Sequence, residues 1–372
     1  MDRNKTVTIV TAAAVFALVA ALPHLFNDRG DKELKRREEK SFLSKPLYSL
    51  MEQDSLIQAA SVSLVETGSG RKPASAFLAR SYYGEDRIVE ENYGIDRAPI
   101  TPAGMMQGPT LTFLLDNGYF TLDQMIGTGH GVVPELASED GWEPDRTIVE
   151  YEMTTGRDSI SVRDGFLLSS RYVSDRIALD SGRWRWDRYI DKLGDYFGSS
   201  EAYWLPKVWD HGLIRNAYAS VADGYGLHLS QGQLLTFYDA LANGGVRPRH
   251  RYIPKRRICS EETAQVMKEL LRDNVTEGTG TRLAEHPARI AGMTGTGTIR
   301  HGYVPGLSRT EPHGPVETVS FVGFFPVESP RYTMCVTIYY KPGMSPAEAS
   351  APMDVFGELA NKLIKEDNPW RQ

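Results

Sequence analysis

The sequence predicts a fold of the α/β (α+β) class, in which an antiparallel sheet lies beside a mostly helical lobe. Apolar and polar residues alternate from Tyr332 to Tyr340, and this period of two is typical of a strand. A second strand-like run, 320–325, precedes it across a turn that contains Pro326. The two runs therefore predict adjacent antiparallel strands, whereas helical segments dominate from about residue 105 to residue 255.

The segment Ala291–Thr298 supplies a third strand, and it alternates glycine with threonine. Glycine lets a backbone approach a ligand closely, and threonine favours the extended conformation while offering a hydroxyl. We therefore interpret this strand as the wall of a cleft that binds a carboxylate-bearing peptide. A Gly/Thr-rich turn is the alternative, because a motif this short is not proof by itself.

Local signals predict the other elements. Residues 59–65 alternate as a strand and lead into a Gly-rich turn, which predicts the first hairpin of the sheet. Gly118 fits the C-terminal end of a helix that includes 111–115. Ser345 or Ser350 is expected to cap a C-terminal helix. The predicted apolar face of that helix is Met353, Phe356, Leu359, Ala360 and Leu363.

The composition is that of a soluble globular body. The chain has 372 residues, 24% of them charged, with a formal net charge of −6. No basic excess suggests a nucleic acid as partner. Cys259 and Cys335 form no metal-ligand or redox pattern, and Cys335 falls in a predicted core strand, so we expect a buried free thiol there. The sequence predicts neither a metal nor a cofactor.

The N-terminal segment differs from this body. Arg3 and Lys5 precede an uncharged run, 6–22, that apolar residues extend to Phe26. Because about 20 apolar residues span a bilayer, we predict a single-pass transmembrane anchor at 1–26. The alternative is a secretory signal peptide, although the segment offers only a poor cleavage site.

An anchor of this kind places the protein in the inner (cytoplasmic) membrane, with the body outside, in the periplasm of a bacterium with two membranes. Residues 27–46 are polar with mixed charge and predict a juxtamembrane linker. The globular domain is then expected to cover 47–372 and to lie close to the membrane. The membrane is also the partner that the N-terminal segment predicts.

Several segments together carry a family resemblance. Gly224–Leu235, Ala240–Val246 and the threonine–glycine strand occur in the order found in the transpeptidase domain of class B penicillin-binding proteins, which this chain resembles over about Gln58–Pro342. Those are the bacterial cell-wall cross-linking enzymes of division and elongation. The resemblance implies a penicillin-binding transpeptidase/β-lactamase-like fold with helices packed on the sheet, and it implies peptidoglycan stem peptides and cell-wall synthesis proteins as partners. One departure is the near absence of the pedestal domain that such enzymes usually carry before the transpeptidase domain.

The family's first catalytic motif, Pro-Gly-Ser-Thr-x-Lys-Pro-x-Thr, is degenerate here. In the family, its serine attacks the carbonyl of a D-alanyl-D-alanine peptide, and the lysine three positions on takes the proton. The matching segment is Pro102–Thr110. Anchored on Gly104 and Pro109, the alignment places Met105 at the nucleophile position and Gly108 at the lysine position. Neither side chain can perform the serine's or the lysine's role.

The second motif, Ser-x-Asn, resembles Ser169-Ser170-Arg171, in which an arginine replaces the asparagine. An intact Ser-x-x-Lys occurs at 69–72, but it lies in a predicted turn and runs into Pro73, so its context does not fit a nucleophile. The third motif, Lys-Thr-Gly, resembles Met293-Thr294-Gly295. The ligand-binding residues that the resemblance implies are Ser169, Arg171, Thr294, Gly295 and Thr296.

Loss of the nucleophile, the base and the cleft lysine predicts a pseudoenzyme, that is, a membrane-anchored protein with a binding or scaffolding role in cell-wall assembly. One alternative is a peptidoglycan D,D-transpeptidase with active or altered chemistry, for which Arg171, His130 or His301 would have to act near the cleft. The other alternative is a non-covalent sensor of β-lactams or stem peptides, because the guanidinium of Arg171 pairs well with carboxylates.

Overall fold

The computed structural model describes residues 42–81, 87–90, 99–134, 144–198, 219–225, 227–249, 254–299, 314–345 and 349–365. Within these ranges no helix is both long enough and apolar enough to cross a membrane. The predicted anchor at 1–26 lies outside the described residues, and so does the predicted linker up to residue 41.

A six-stranded antiparallel sheet forms the centre of the structure. From one edge to the other, its strands are β10 (Ala291–Ile299), β11 (Val316–Phe325), β12 (Tyr332–Tyr340), β1 (Ile57–Glu66), β2 (Ala74–Arg80) and β3 (Ile88–Glu90). Short pairs outside this sheet are β4 (Pro99–Ile100) with β7 (Leu229–Ser230), β5 (Met125–Gly127) with β6 (Ser159–Ser161), and β8 (Val246–Arg247) with β9 (Arg256–Arg257).

Helices cover both faces of the sheet and build the lobe beside it. They are α1 (42–53), α2 (Gln107–Asp116), α3 (Arg146–Thr155), α4 (Val162–Leu167), α5 (Arg171–Phe197), α6 (219–222), α7 (Gln231–Ala242), α8 (Glu261–Thr276) and α9 (Ala351–Lys365). Three 3₁₀ turns accompany them, at Ala103–Met106, Gly129–Gly131 and Thr281–Leu283. Helix α5 is interrupted at Gly182, whose φ of 73° and ψ of 158° are not helical.

The strands predicted from periodicity are confirmed. β11 and β12 are antiparallel neighbours with Val322 opposite Cys335, and β10 pairs with β11 on the other side. The first hairpin, β1 with β2, is present as well. The threonine–glycine segment is an edge strand, because β10 stands first in the order of the sheet and pairs there with β11 alone.

Cys335 and Cys259 are buried free cysteines, and burial raises the pKa of each thiol to about 12.

One face of the sheet packs against α1 and α9. The predicted C-terminal helix is confirmed, and Phe356 of α9 lies 4.8 Å from Phe321 and 5.7 Å from Phe325, ring centroid to ring centroid. In α1, Leu43 and Leu47 are fully buried in the same core. The predicted domain boundary between residues 46 and 47 is therefore wrong, because it cuts a helix whose apolar face covers the sheet.

The opposite face packs against α7, and around it the lobe builds a second, larger core. Phe237 and Tyr238 of α7 are fully buried there. The buried aromatic residues that α5 contributes to this core are Tyr172, Trp186, Tyr189, Tyr196 and Phe197. This arrangement leaves the outer edge of β10 against the lobe, and the candidate site lies at that edge.

Candidate active-site cleft

The three degenerate motifs meet where β10 faces the lobe. The 3₁₀ turn Ala103–Met106 precedes α2 directly and contacts β10. A β-carbon added to Gly104 would lie 2.5 Å from Ser169 Oγ and 3.1 Å from the carbonyl oxygen of Thr294. Gly104 therefore belongs to the first motif and touches both the second and the third.

The structure corrects the register that we predicted for the first motif. Met105 is fully buried, and its thioether methyl group would lie 2.8 Å from a β-carbon on Gly295. A β-carbon on Gly108 would lie 2.8 Å from the hydroxyl oxygen of Tyr238, in the core of the lobe. A side chain at Gly108 would thus enter the packing against α7, and it would not face Ser169.

Without a gap, the family motif aligns its proline with Pro102 and its last threonine with Thr110, which places the serine at Gly104 and the lysine at Gln107. Gln107 fits that position, because its amide nitrogen donates a hydrogen bond of 3.3 Å to the carbonyl oxygen of Ser170 in the second motif. Both registers lack a hydroxyl at the nucleophile position and an amine at the base position.

Gln107 is itself nearly fully buried, and its carbonyl oxygen Oε1 has no hydrogen-bond partner within the described residues. A cavity of about 10 Å³ lies beside it, enough for about one water molecule. An amide with one water can position neighbouring groups, but it cannot take a proton from a serine as a lysine amine does.

The second motif sits at the start of α5 in a constrained conformation. Ser169 has a φ of 53°, which non-glycine residues adopt rarely. Ser170 caps the helix by accepting a hydrogen bond from the backbone N–H of Val173, and its hydroxyl donates to Asp145 Oδ2 at 2.8 Å. These bonds fix the turn that holds Ser169 against Gly104.

Arg171 is committed to carboxylates of its own chain. Its Nε donates a hydrogen bond of 2.9 Å to Asp223 Oδ2 and lies 3.7 Å from Asp175 Oδ2. The side chains of both aspartates are 1% exposed, whereas that of Arg171 is 50% exposed. The guanidinium is therefore partly neutralised before a ligand arrives, and its predicted role as the partner of a ligand carboxylate stays a prediction.

The electrostatics of this cluster are unusual for aspartates. Burial raises the pKa of Asp175 to about 8, with Asp223 adding repulsion and Arg171 opposing the shift. Burial also raises the pKa of Asp223 to about 6, against the attraction of Arg171. The two carboxylates flank one guanidinium, so the pair holds more protons in the folded protein than in the unfolded chain.

The third motif lies on β10, where that strand faces the lobe, and its groups are largely engaged within the chain. Met293 is fully buried in the lobe-side core. The hydroxyl of Thr294 donates to the hydroxyl of Thr279 at 2.8 Å. Thr296 is exposed at the edge, and its carbonyl oxygen accepts a hydrogen bond of 3.2 Å from the hydroxyl of Tyr225.

Of the predicted site residues, Ser169 and Thr294 both lie beside Gly104, and Gly295 lies beside Met105. Arg171 is connected to Thr296 through Tyr225. His130 instead pairs with Glu152 on the surface, Nδ1 to Oε2 at 2.9 Å, and His301 lies outside the described residues. Within the described residues, no group of three histidine, cysteine or carboxylate side chains lies close enough to hold a metal ion.

Sequence reasoning missed Gly104, Gln107, Asp223 and Tyr225. The ungapped spacing of the first motif could have identified the first two. The other two lie more than 50 residues from Arg171, as their numbers show, so no local pattern connects them with the second motif.

Comparisons with known proteins concern the chain as a whole. A family model described as the penicillin binding protein transpeptidase domain matches residues 97–362. A probable peptidoglycan D,D-transpeptidase FtsI of Caulobacter vibrioides is 30% identical over 226 residues, which are 55% of this chain and 36% of that protein. Penicillin-binding protein PbpB of Mycolicibacterium smegmatis is 25% identical over 364 residues, covering 82% of this chain and 52% of that protein. The chain thus spans only about a third to a half of the length of these relatives.

Solved structures show the same fold. The transpeptidase domain of penicillin-binding protein 3 from Burkholderia pseudomallei superposes with a TM-score of 0.63 at 20% identity, over 90% of this chain and 95% of that one. Penicillin-binding protein 2B from Streptococcus pneumoniae gives a TM-score of 0.68 at 13% identity, over 91% of this chain and 59% of that one. At such identities the likeness concerns the fold alone.

Proposed function

Because this chain belongs to the penicillin-binding protein transpeptidase domain family, of the class B type, we propose that it is a membrane-anchored, non-catalytic member with a binding or scaffolding role in peptidoglycan assembly. The single observation that carries the proposal is the chemistry at the point where the three motifs meet. Gly104 stands where a serine would have to attack, and the buried amide of Gln107 stands where a lysine would have to accept the proton.

The remaining polar groups do not replace this pair. Acyl transfer needs an activated nucleophile and a base within hydrogen-bond reach. Arg171 stays protonated at neutral pH, and Met293, at the position of the cleft lysine, carries no charge. The retained strand and its threonines support a fold kept for contact with other molecules. The uncharged N-terminal run supports the membrane anchor.

The test is labelling with a fluorescent penicillin, followed by denaturation and gel electrophoresis. We expect no denaturation-stable adduct on the native chain, because such an adduct is an ester of a serine. We expect the triple variant Gly104→Ser/Gln107→Lys/Met293→Lys to label slowly, once Ser169 Oγ rotates away from the new β-carbon.

The matched control is Gly104→Ala combined with the same two lysines, which reproduces the packing without the hydroxyl and should stay unlabelled. A stable adduct on the native chain would contradict the proposal and favour the alternative of a peptidoglycan D,D-transpeptidase with active or altered chemistry. Mass mapping of that adduct would then identify the nucleophile, with Ser169 in the cleft and Ser69 in the β1–β2 turn as the residues to examine first.

A further inference from the structure

The outer edge of β10 is covered by side chains of the lobe. Backbone carbonyls of alternate residues point to the same side of a strand, and three of these edge carbonyls accept hydrogen bonds from the lobe. The bonds run from Asn274 to Gly292 O at 3.0 Å, from Tyr225 to Thr296 O at 3.2 Å and from Thr101 to Thr298 O at 3.1 Å. An edge strand is otherwise a template on which an extended peptide can add a strand.

Tyr225 differs from the other two donors because it is accessible. It is 50% exposed, whereas Asn274 is fully buried and Thr101 is 2% exposed. A Tyr225 side chain can therefore leave the edge without unpacking a core, and the Thr296 carbonyl is the position where an incoming peptide N–H would compete with it.

A set of contacts positions Tyr225 for this bond. The guanidinium carbon of Arg171 lies 5.5 Å from the centre of its ring. Its backbone N–H donates a hydrogen bond of 2.9 Å to Asp223 Oδ1, and the other oxygen of that carboxylate accepts from Arg171. Gly224 precedes it with a φ of 79°, and a β-carbon there would lie 2.3 Å from the carbonyl oxygen of Ala103. The backbone is thereby held in place, so any movement is left to the side chain.

We propose that Tyr225 is a latch that closes the edge of β10 against an extended peptide by occupying the Thr296 carbonyl from within the chain. A ligand can then bind only when the Tyr225 hydroxyl has left the Thr296 carbonyl. The apparent dissociation constant is therefore the intrinsic constant divided by the fraction of molecules in which the hydroxyl has left. The inference rests on the proposed binding function of the cleft and adds a residue that controls access to it.

The size of the effect follows from the contacts that are lost. A net hydrogen bond of this kind corresponds to a change of about two- to tenfold in affinity. The cation–π contact with Arg171 raises the total to about five- to fiftyfold. Tyr225→Phe removes the hydroxyl alone, and Tyr225→Ala removes both contacts.

The experiment is a saturation-transfer difference NMR titration of full-length protein with an N-acetylated L-lysyl-D-alanyl-D-alanine tripeptide. We expect the dissociation constant to fall by about two- to tenfold in Tyr225→Phe and by about five- to fiftyfold in Tyr225→Ala. The control is Tyr48→Phe, which changes a tyrosine on α1, 44% exposed, and should bind as the native chain does.

The outcomes separate the latch from the function. Binding that is equal in all four proteins, or weaker in the Tyr225 variants, overturns the latch and leaves a binding cleft intact. No binding to any of them at millimolar peptide overturns both the latch and the cleft as a site for stem peptides. Neither result bears on the absence of catalysis, which the penicillin adduct decides.

Discussion

Replacing Asp175 by asparagine should change how the stability of the protein depends on pH. The carboxyl group has an ordinary pKa of 3.8, and in the folded protein burial, with repulsion from Asp223 and Asp145, raises it to about 8 against the attraction of Arg171. Between these values the folded chain holds a proton that the unfolded chain has released. The free energy of unfolding must therefore fall as the pH rises from about 4 to about 8.

The magnitude follows from the number of protons. One proton retained on folding changes the free energy of unfolding by about 1.4 kcal/mol per pH unit, so the carboxyl group contributes a loss of at most about 2.7 kcal/mol between pH 5 and pH 7. Asp239, whose pKa burial raises to about 6, adds a similar dependence, but it does so in both proteins and cancels in the comparison. We expect the variant to gain about 1 to 3 kcal/mol relative to the native chain over this interval.

The assay is urea unfolding followed by tryptophan fluorescence at pH 5, 6 and 7, with midpoints converted through a common slope. At pH 5 the variant should be slightly less stable, because the asparagine amide brings two N–H donors in place of the single O–H of the protonated carboxyl, at a site where Oδ1 of Asp175 has no partner within the described residues. Asp180→Asn is the control, because that carboxylate is half exposed and pairs with Arg176 on the surface. A native-minus-variant difference that stays constant from pH 5 to pH 7 would refute the reasoning.

Two further outcomes follow from the structure and the sequence. Gly224→Ala should lower the free energy of unfolding by about 2 to 4 kcal/mol, because the residue has a left-handed φ and its new β-carbon meets the Ala103 carbonyl. Gly118→Ala, at a φ of 64° with nothing within 4 Å, should cost only about 1 to 2 kcal/mol, and equal effects in urea unfolding would contradict the steric argument. A chain that begins after residue 26 should leave the membrane fraction of cells, and membrane attachment that persists and is released only by detergent would require a second contact.

Short-range patterns were sufficient for most of the framework. The period of two predicted β11 and β12, and the spacing of apolar residues predicted helix α9, whose packing on the sheet the family resemblance implied. The degenerate motifs were found because each keeps enough neighbours within a few residues to be aligned. These features depend on interactions between residues that are close in the chain, so the sequence contains them directly.

Three features required the tertiary structure. The cleft-facing position is Gly104 and not Met105. Spacing is compatible with either register, depending on whether the motif is aligned without a gap or anchored on Gly104 and Pro109, and the contacts of Gly104 with Ser169 and Thr294 that decide between them exist only in the fold. Helix α1 (42–53) lies across the predicted start of the domain, because Leu43 and Leu47 are buried against the sheet, a contact that the polar sequence around them does not reveal. Arg171 is paired with Asp223, a residue from a different part of the lobe, and the folded chain alone decides whether that guanidinium is open to a ligand or held by buried carboxylates.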